Sequence, residues 1–477
     1  MGDEISHSRF SDAEFAAFRA QLAEETRTLQ HWFADGVLSR DPQCTGFELE
    51  SWLVDAEGLP APLNQAFLQR LDSPLASPEL AAFNVEVNSV PRVLQGHVFT
   101  AMHNELNATW RQCRQVAAEL ETQLVMVGIL PTVENDMLNL ANMSSMERYR
   151  ALNREVFHQR HGKPLTLDIV GKEHLHVTHR DVMLESAATS FQIHLQVDPR
   201  DAVRLFNAST IVSAPMVALA ANSPFLFGKN LWHETRIPLF EQAVAVGGYA
   251  GAAFGPIRRV SFGSAYVRAS LFECFSENLQ HYPVMLPVDL STAAQPLPHL
   301  RLHNGTIWRW NRPLLGFDAA GQPHLRIEHR VVPAGPTVID AIANAAFFYG
   351  LVNAVATQAV PAEQQLCFEY ARDNFYEAAR FGLGAQLRWF DGRRWPVREL
   401  ILEQLLPLAA AGLQAHDVAA ADIGEYLGII RERVSTRQNG AQWQQAFVDK
   451  HGRDMRALLA AYLERQNSGE PVHQWTL

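Results

Sequence analysis

Residues 44–55 read CTGFELESWLVD, and the alternation inside them decides the fold class. Residues two apart on a strand share a face, so Glu48 and Glu50 project together while Phe47, Leu49 and Trp52 take other positions. Neighbouring carboxylates repel unless a cation or solvent screens them. Three more segments repeat the pattern. In FNVEVNSV, residues 83–90, Asn84, Glu86 and Asn88 share a face opposed to Val85 and Val87. In SFQIHLQVD, residues 190–198, Gln192, His194 and Gln196 line up. In HLRIEHRVV, Arg326, Glu328 and Arg330 do so.

An antiparallel sheet with one wet face gives the same alternation. These polar faces, however, carry carboxylate, imidazole, amide and guanidinium rather than the Thr, Lys and Ser of an ordinary wet face. Oxygen-rich ligation with an occasional nitrogen suits Mg²⁺ or Mn²⁺, and arginines beside such a metal suit phosphate. That the four strands are neighbours is an expectation.

Around them the pattern turns helical. Phe10, Phe15, Phe18, Leu22 and Leu29 recur at helical spacing, with Ser11 as N-cap. Residues 98–121 and 200–221 read as helices, and QLVMVGILP and LRLHNGTIWRW as strands. From Pro336 the chain is helical nearly to its end, in PTVIDAIANAAFFYGLV and segments 362–381, 397–413, 419–436 and 440–466. The prediction is an α+β fold with a largely antiparallel sheet. It forms one catalytic unit over 1–477, with an N-terminal helical segment 1–42, a sheet-bearing core 43–335 and a helical C-terminal region 336–477. No strand–glycine loop–helix unit of Rossmann or P-loop type is present.

The 477 residues carry a formal charge of −11, against a nucleic-acid partner. No run is expected to reach the roughly 18–20 apolar residues of a membrane span. The acidic start, MGDEISHSRFSDAEF, lacks the apolar core of a secretory signal, so a cytoplasmic location is expected. Cys44, Cys113, Cys274 and Cys367 are scattered and read as reduced thiols.

The ordered set GFELE, NVEVN, SFQIHLQVD, ALAANSPFLFGK and LRIEHR, followed by PTVIDAIANAAF, resembles the glutamate–cysteine ligase family in its plant-type and bacterial carboxylate–amine ligase branches. The resemblance runs from about Gly46 to about Arg380, and ANSPF with GK close behind is its most specific string. It implies a fold similar to the glutamine synthetase and guanido kinase catalytic domains, a curved antiparallel sheet holding metals, ATP and glutamate on its concave face. It implies phosphoryl transfer from ATP to a carboxylate and attack of an amine on the acyl phosphate. By position, Glu48, Glu50, Glu86 and Glu328 would be metal ligands. His194 or Gln192 would add a ligand or a phosphate contact, and Arg330 would bind the transferring phosphoryl group. ERYRALN, residues 147–153, also resembles a family segment, so Arg148 or Arg150 would reach a substrate carboxylate, the alternative being a helix surface. Asn88 is assigned to substrate with them.

Other candidates rest on the residues themselves. Trp308 and Trp310 share a face with Asn304 and Thr306, which suits an adenine or amino-acid pocket or plain tryptophan packing. Arg309 and Arg312 could meet an anion, and Lys229 a phosphate as a point charge. Residues 245–259, AVGGYAGAAFGPIRR, form a glycine-rich loop without P-loop spacing. His174, His176 and His179 in GKEHLHVTHRD read as an exposed polar loop or as ligands of a soft metal.

The expected activity is ATP- and Mg²⁺-dependent ligation of glutamate to cysteine through a γ-glutamyl phosphate, with small-molecule substrates, no nucleic acid and no membrane, and a homo-oligomer allowed. The alternatives are another amine as acceptor, a noncatalytic nucleotide or amino-acid sensor, and a phosphagen-kinase-like phosphotransferase.

Overall fold

The computed structural model describes residues 4–5, 7–246, 258–290 and 293–477. Most of the glycine-rich loop, 247–257, lies outside the described residues.

The strands in chain order are β1 (Cys44–Val54), β2 (Ala76–Pro78), β3 (Asn84–Asn88), β4 (Arg92–Val93), β5 (Gln123–Val125), β6 (Leu165–Val170), β7 (His174–His179) and β8 (Phe191–Val197). They continue with β9 (Phe225–Leu226), β10 (Lys229–Asn230), β11 (Val260–Ser261), β12 (Trp308–Arg309), β13 (Asn311–Phe317), β14 (Pro323–His329), β15 (Gln386–Arg388) and β16 (Arg394–Pro396). The main sheet is curled and antiparallel, ordered β13-β14-β8-β1-β3-β2, with β4 and β5 also on β1. The four segments with alternating polar residues are thus consecutive neighbours, β14-β8-β1-β3.

One face of the sheet packs on two core helices, Ala202–Ala220 and Val338–Ala356. Phe47 and Phe191 meet there at 5.2 Å between ring centroids. His329 stacks on Phe348 at 4.2 Å, and Tyr349 Oη donates to the His194 carbonyl at 2.8 Å. Asn311 donates to Ser213 Oγ at 2.9 Å. Both helices are buried around nearly their whole circumference, as a central core helix is. That corrects one expectation: each has 19 residues and is apolar enough by length and composition to cross a membrane, with mean hydropathy 1.4 and 1.5. In both, 89% of the apolar window is buried inside the protein. Helix Val338–Ala356 also packs against Leu406–Gln414, and their backbones nearly touch at Gly350 and Gly412.

The first helix, Asp12–Asp35, opens with a capping box between Ser11 and Glu14. Other expectations need correction. Much of LRLHNGTIWRW is helix, Pro298–Gly305, because Pro298 suits a first turn; only Trp308–Arg309 forms a strand. In QLVMVGILP only Gln123–Val125 pairs. GKEHLHVTHRD is not a loop: β7 pairs with β6 over its whole length, Leu165 opposite His179 and Val170 opposite His174. Trp52 falls in register with Asn84, on the parity of Glu48 and Glu50.

Candidate active site

Cross-strand partners in an antiparallel pair project from the same face, and the register of the main sheet converts four polar rows into one patch. Glu50 lies opposite Glu86, and Glu48 opposite both Asn88 on β3 and Gln192 on β8. His194 is opposite Glu328, and Glu328 opposite Arg312 on β13. This face is turned away from the two core helices. Other segments close over it, since Glu50, Glu86, Gln192, His194, Glu328 and Arg330 are all buried.

The polar groups are tied together. Gln192 Nε2 donates to Glu50 Oε1 at 2.8 Å, and the Ser190 N–H to Glu50 Oε2 at 2.7 Å. Arg330 Nη1 donates to the Gln192 side-chain oxygen and to Glu328 Oε2, the latter at 3.1 Å. Ser77 Oγ and Asn88 Nδ2 donate to Glu86 Oε1 at 3.0 and 3.1 Å. Among the described residues His194 Nε2 has no hydrogen-bond partner, yet it lies 3.5 Å from Glu48 Oε1 and 3.7 Å from Glu328 Oε1.

Two groups have the donors of a cation site. Glu48, His194 and Glu328 each offer one ligand atom within 4.8 Å of the others, and so do Glu50, Glu79 and Glu86. The electrostatics agree. Burial, then the charges of Glu86 and Glu328, pushes the Glu48 carboxyl up to about 8. Burial raises Glu50, and raises Glu79 further with the help of Glu86, Glu50 and Glu185. Glu328 is held low against the cost of burial by Arg312 and Arg330. Burial and then Arg326 push His194 down to about 3, so the imidazole is neutral. Carboxylates crowded enough to resist ionisation lose that penalty when a divalent cation enters. Oxygen donors with one imidazole fit Mg²⁺ or Mn²⁺.

Of the residues singled out from sequence, Glu48, Glu50, Glu86, Asn88, Gln192, His194, Glu328 and Arg330 come together on this face. Arg148 is buried near its rim: Nη2 donates to Tyr149 Oη at 2.7 Å, and that hydroxyl donates to the Pro78 carbonyl beside Glu79. Arg150, two residues on along the same helix, points to solvent and pairs with Glu147. Lys229 is not brought to the site; its exposed ammonium lies 3.5 Å from Glu173 on the β6–β7 hairpin. Trp308 packs in the core, 6.1 Å from Phe240 between ring centroids, and touches no site carboxylate. Arg309 bonds Asn278 Oδ1 and lies 3.3 Å from Glu277 Oε2, a carboxylate outside the main-sheet group.

Sequence reasoning missed Glu79, Glu185 and Arg236. Glu79 follows the short β2, and Glu185 lies in a 3-10 turn, Met183–Ala187, so neither carries a periodic signal. Burial, then the charge of Glu50, pushes Glu185 up to about 8. The available signal was a lone carboxylate inside an apolar run. Arg236 belongs to the network behind ANSPF. Its Nη2 donates to the carbonyls of Arg330 and Val331 at 3.1 and 2.7 Å, and its Nε to Glu234 at 3.1 Å. Glu234 in turn accepts from the Asn222 N–H at 2.9 Å. The most specific string of the sequence is therefore a buried brace for the Arg330 backbone.

Known proteins agree with this architecture. A candidate glutamate–cysteine ligase 2-3 from Frankia alni is 27% identical over 192 residues, 40% of this chain and 19% of that protein's length. The chain thus matches well under two thirds of the curated relative. Among solved structures, the glutamate–cysteine ligase of Francisella tularensis in complex with AMP superposes with a TM-score of 0.57 at 11% identity, over 90% of each chain. A bifunctional glutathione synthetase from Pasteurella multocida gives 0.53 at 10% identity, over 96% of this chain and 55% of that one. At such identities the likeness concerns the fold alone. The family description glutamate–cysteine ligase family 2 (GCS2) matches residues 44–470, and the chain belongs to that family.

Proposed function

We propose that the protein is an ATP- and Mg²⁺-dependent carboxylate–amine ligase that activates the γ-carboxylate of glutamate and joins it to an amine, with cysteine the first acceptor to test. The observation that carries this reading is the convergence of Glu48, Glu50, Glu79, Glu86 and Glu328 with His194 and Arg330 on one buried sheet face. ATP brings about four negative charges, which such a face repels unless cations intervene. Magnesium held by the carboxylates and His194 would screen the phosphates and polarise the transferring group.

The chain's own residues do the rest. Arg330, fixed by Gln192 and Glu328 and braced from behind by Arg236, presents a planar cation to the γ-phosphoryl oxygens. A γ-carboxylate oxygen of glutamate attacks the γ-phosphorus, and the bond to the ADP oxygen breaks. The amine then attacks the acyl carbon, the C–O bond to phosphate breaks, and the amine loses a proton. Arg148, buried at the rim, is the group proposed to hold a substrate carboxylate. The reaction needs only small molecules, and the protein is proposed to work in the cytoplasm as one catalytic unit over 1–477.

The test is phosphate release from ATP with Mg²⁺ and glutamate across a panel of amines. Release that needs both glutamate and one amine, with label from the γ-carboxylate oxygen passing into phosphate, is the expected result. Amide formation without that transfer would rule out the acyl phosphate. ATP binding with no turnover on any amine would favour a sensor.

A further inference from the structure

A second group of ligand atoms lies on the β6–β7 hairpin, outside the main sheet. His174 and His176, two apart on β7, share its solvent face, and Asp168 on β6 is directly opposite His176. His174 Nε2 is 2.7 Å from Asp168 Oδ1, and His176 Nδ1 is 3.6 Å from Asp168 Oδ2. One ligand atom from each of the three lies within 4.8 Å of the other two. His179, the third histidine of the segment, faces inward and meets Asn135 Oδ1 at 2.8 Å, so it takes no part.

Exposed side chains alone would not make a site, but the backbone beneath these is held unusually firmly. The Asp168 N–H donates to Gln242 Oε1 at 2.8 Å, and its carbonyl accepts from Gln242 Nε2 at 3.3 Å. The Val170 carbonyl accepts from the Trp232 indole at 2.9 Å. At the turn, Gly171 is pressed so close to Leu231 that a β-carbon would lie 2.5 Å from its carbonyl carbon. Glu173 accepts from the Asn230 N–H at 2.9 Å and from Arg453 at 3.1 Å. The hairpin is clamped from below while its ligand-bearing face is open to water.

We propose that Asp168, His174 and His176 form a binding site for a borderline divalent transition metal such as Zn²⁺, Ni²⁺ or Cu²⁺, separate from the acidic face of the main sheet. His174 ligates through Nε2, His176 through Nδ1 and Asp168 through one carboxylate oxygen. Bonds of about 2.0–2.1 Å in a tetrahedron put ligand atoms about 3.3 Å apart, and one ligand atom from each of the three residues already lies within 4.8 Å of the other two. Side chains more than half exposed have the freedom to complete the closure. The remaining position faces solvent and takes water. Two imidazoles and one carboxylate select against Mg²⁺, which prefers oxygen donors and goes to the main-sheet face.

The probe is Zn²⁺, titrated calorimetrically into the full chain under saturating Mg²⁺. Metal content is also measured after dialysis. The unmodified protein is compared with Asp168→Asn, His174→Ala, His176→Ala and the double histidine variant. Melting temperatures close to the parent's establish that these surface variants fold. The expected result is one Zn²⁺ equivalent lost in the double variant and binding at least tenfold weaker in each single variant. Cu²⁺ spectra should lose two nitrogen ligands in the double variant. Unchanged stoichiometry and affinity across the four variants would overturn the proposal, because any Zn²⁺ then sits on His194 and the main-sheet carboxylates.

Discussion

Arg312 grips Glu328 with two parallel hydrogen bonds, Nε to Oε2 at 2.8 Å and Nη2 to Oε1 at 2.9 Å, across the β13–β14 register. Arg330 reaches the same carboxylate with one nitrogen only. The two arginines therefore have different work. Arg312 neutralises and aims Glu328, whereas Arg330 keeps donors for a ligand. Arg312→Leu leaves a buried carboxylate short of its main partner and should cost about 3–5 kcal/mol. Urea denaturation would show it as a lower midpoint at unchanged slope. An unchanged midpoint would mean that Arg330 alone compensates.

Arg330→Lys separates catalysis from scaffolding. The charge stays, but the planar fork is lost. Interactions that strengthen in the transition state raise turnover more than binding. A fall in kcat of about 100-fold with little change in KM for ATP is expected, the size seen when one such donor is removed. Near-normal kcat with a modest loss of melting temperature would make Arg330 a partner of Glu328 and nothing more.

The helical half of the protein has its own sensitive point. A β-carbon on Gly412 would lie 1.9 Å from the Gly350 carbonyl oxygen, and one on Gly350 would lie 2.3 Å from that of Ala409. The atoms in the way are backbone, which cannot swing aside. Gly412→Ala should force helices Val338–Ala356 and Leu406–Gln414 apart and cost about 1–3 kcal/mol or more. Equilibrium unfolding measures this directly, and Gly424→Ala, where nothing lies within 4 Å, is the control.

Acid should destabilise the fold through buried neutral histidines. Burial pushes His303 down to about 4, although its Nε2 lies 3.1 Å from the Asn278 carbonyl. In the unfolded chain a histidine titrates near 6.5. The folded value is the lower one, so the unfolded state binds more protons and stability falls as pH drops below about 6.5, most steeply down to about 4. A shift of this size corresponds to about 3 kcal/mol. His303→Gln should flatten the acid limb of a melting-temperature profile between those values while leaving its neutral plateau in place, even if lowered. A parallel displacement of the whole curve would assign the acid limb to other groups.

The strands of the main sheet were legible because each keeps a strict period of two, with chemically unusual residues on one side. That period marked the polar faces of Glu48, Glu50, Glu86, His194, Glu328 and Arg330, and the family resemblance joined them into one expected site. Their register could not, since pairing is set by contacts between segments far apart in the chain. Glu79 and Glu185 reach the site from a strand end and a single tight turn, where no period exists to read. Arg148 and Arg150 differ by two helical positions, hence by more than half a turn, so only one of them could face inward. Trp308 was misplaced because Pro298 starts a helix where alternation suggested a strand. Lys229 was attractive only through its neighbours in the string, and the hairpin that holds it turns outward.

Glu79 gives the sharpest test of the cation site, because no periodic signal in the sequence announces it. Among the described residues its Oε1 makes no hydrogen bond of normal geometry, while a ligand oxygen of the same residue lies within 4.8 Å of those of Glu50 and Glu86. Without a cation, burial and three neighbouring carboxylates hold it well above the usual carboxylate range, which favours its neutral form. Glu79→Gln is then nearly isosteric with the metal-free side chain. Its melting temperature without divalent ions should match or exceed that of the unmodified protein. A cation, however, needs the ionised oxygen, so the stabilisation that Mg²⁺ or Mn²⁺ gives should shrink, and the concentration needed for half-maximal turnover should rise at least about tenfold, equivalent to about 1.4 kcal/mol. Glu50→Gln should weaken the metal response too, but it also disturbs the bonds from Ser190 and Gln192, so its metal-free stability should change as well. If Glu79 only supports the Leu80 N–H, which it accepts at 3.3 Å, the glutamine variant will respond to Mg²⁺ like the parent. Thermal shift against Mg²⁺ and Mn²⁺ for the two variants distinguishes these outcomes: a normal metal response in Glu79→Gln would remove it from the cation site.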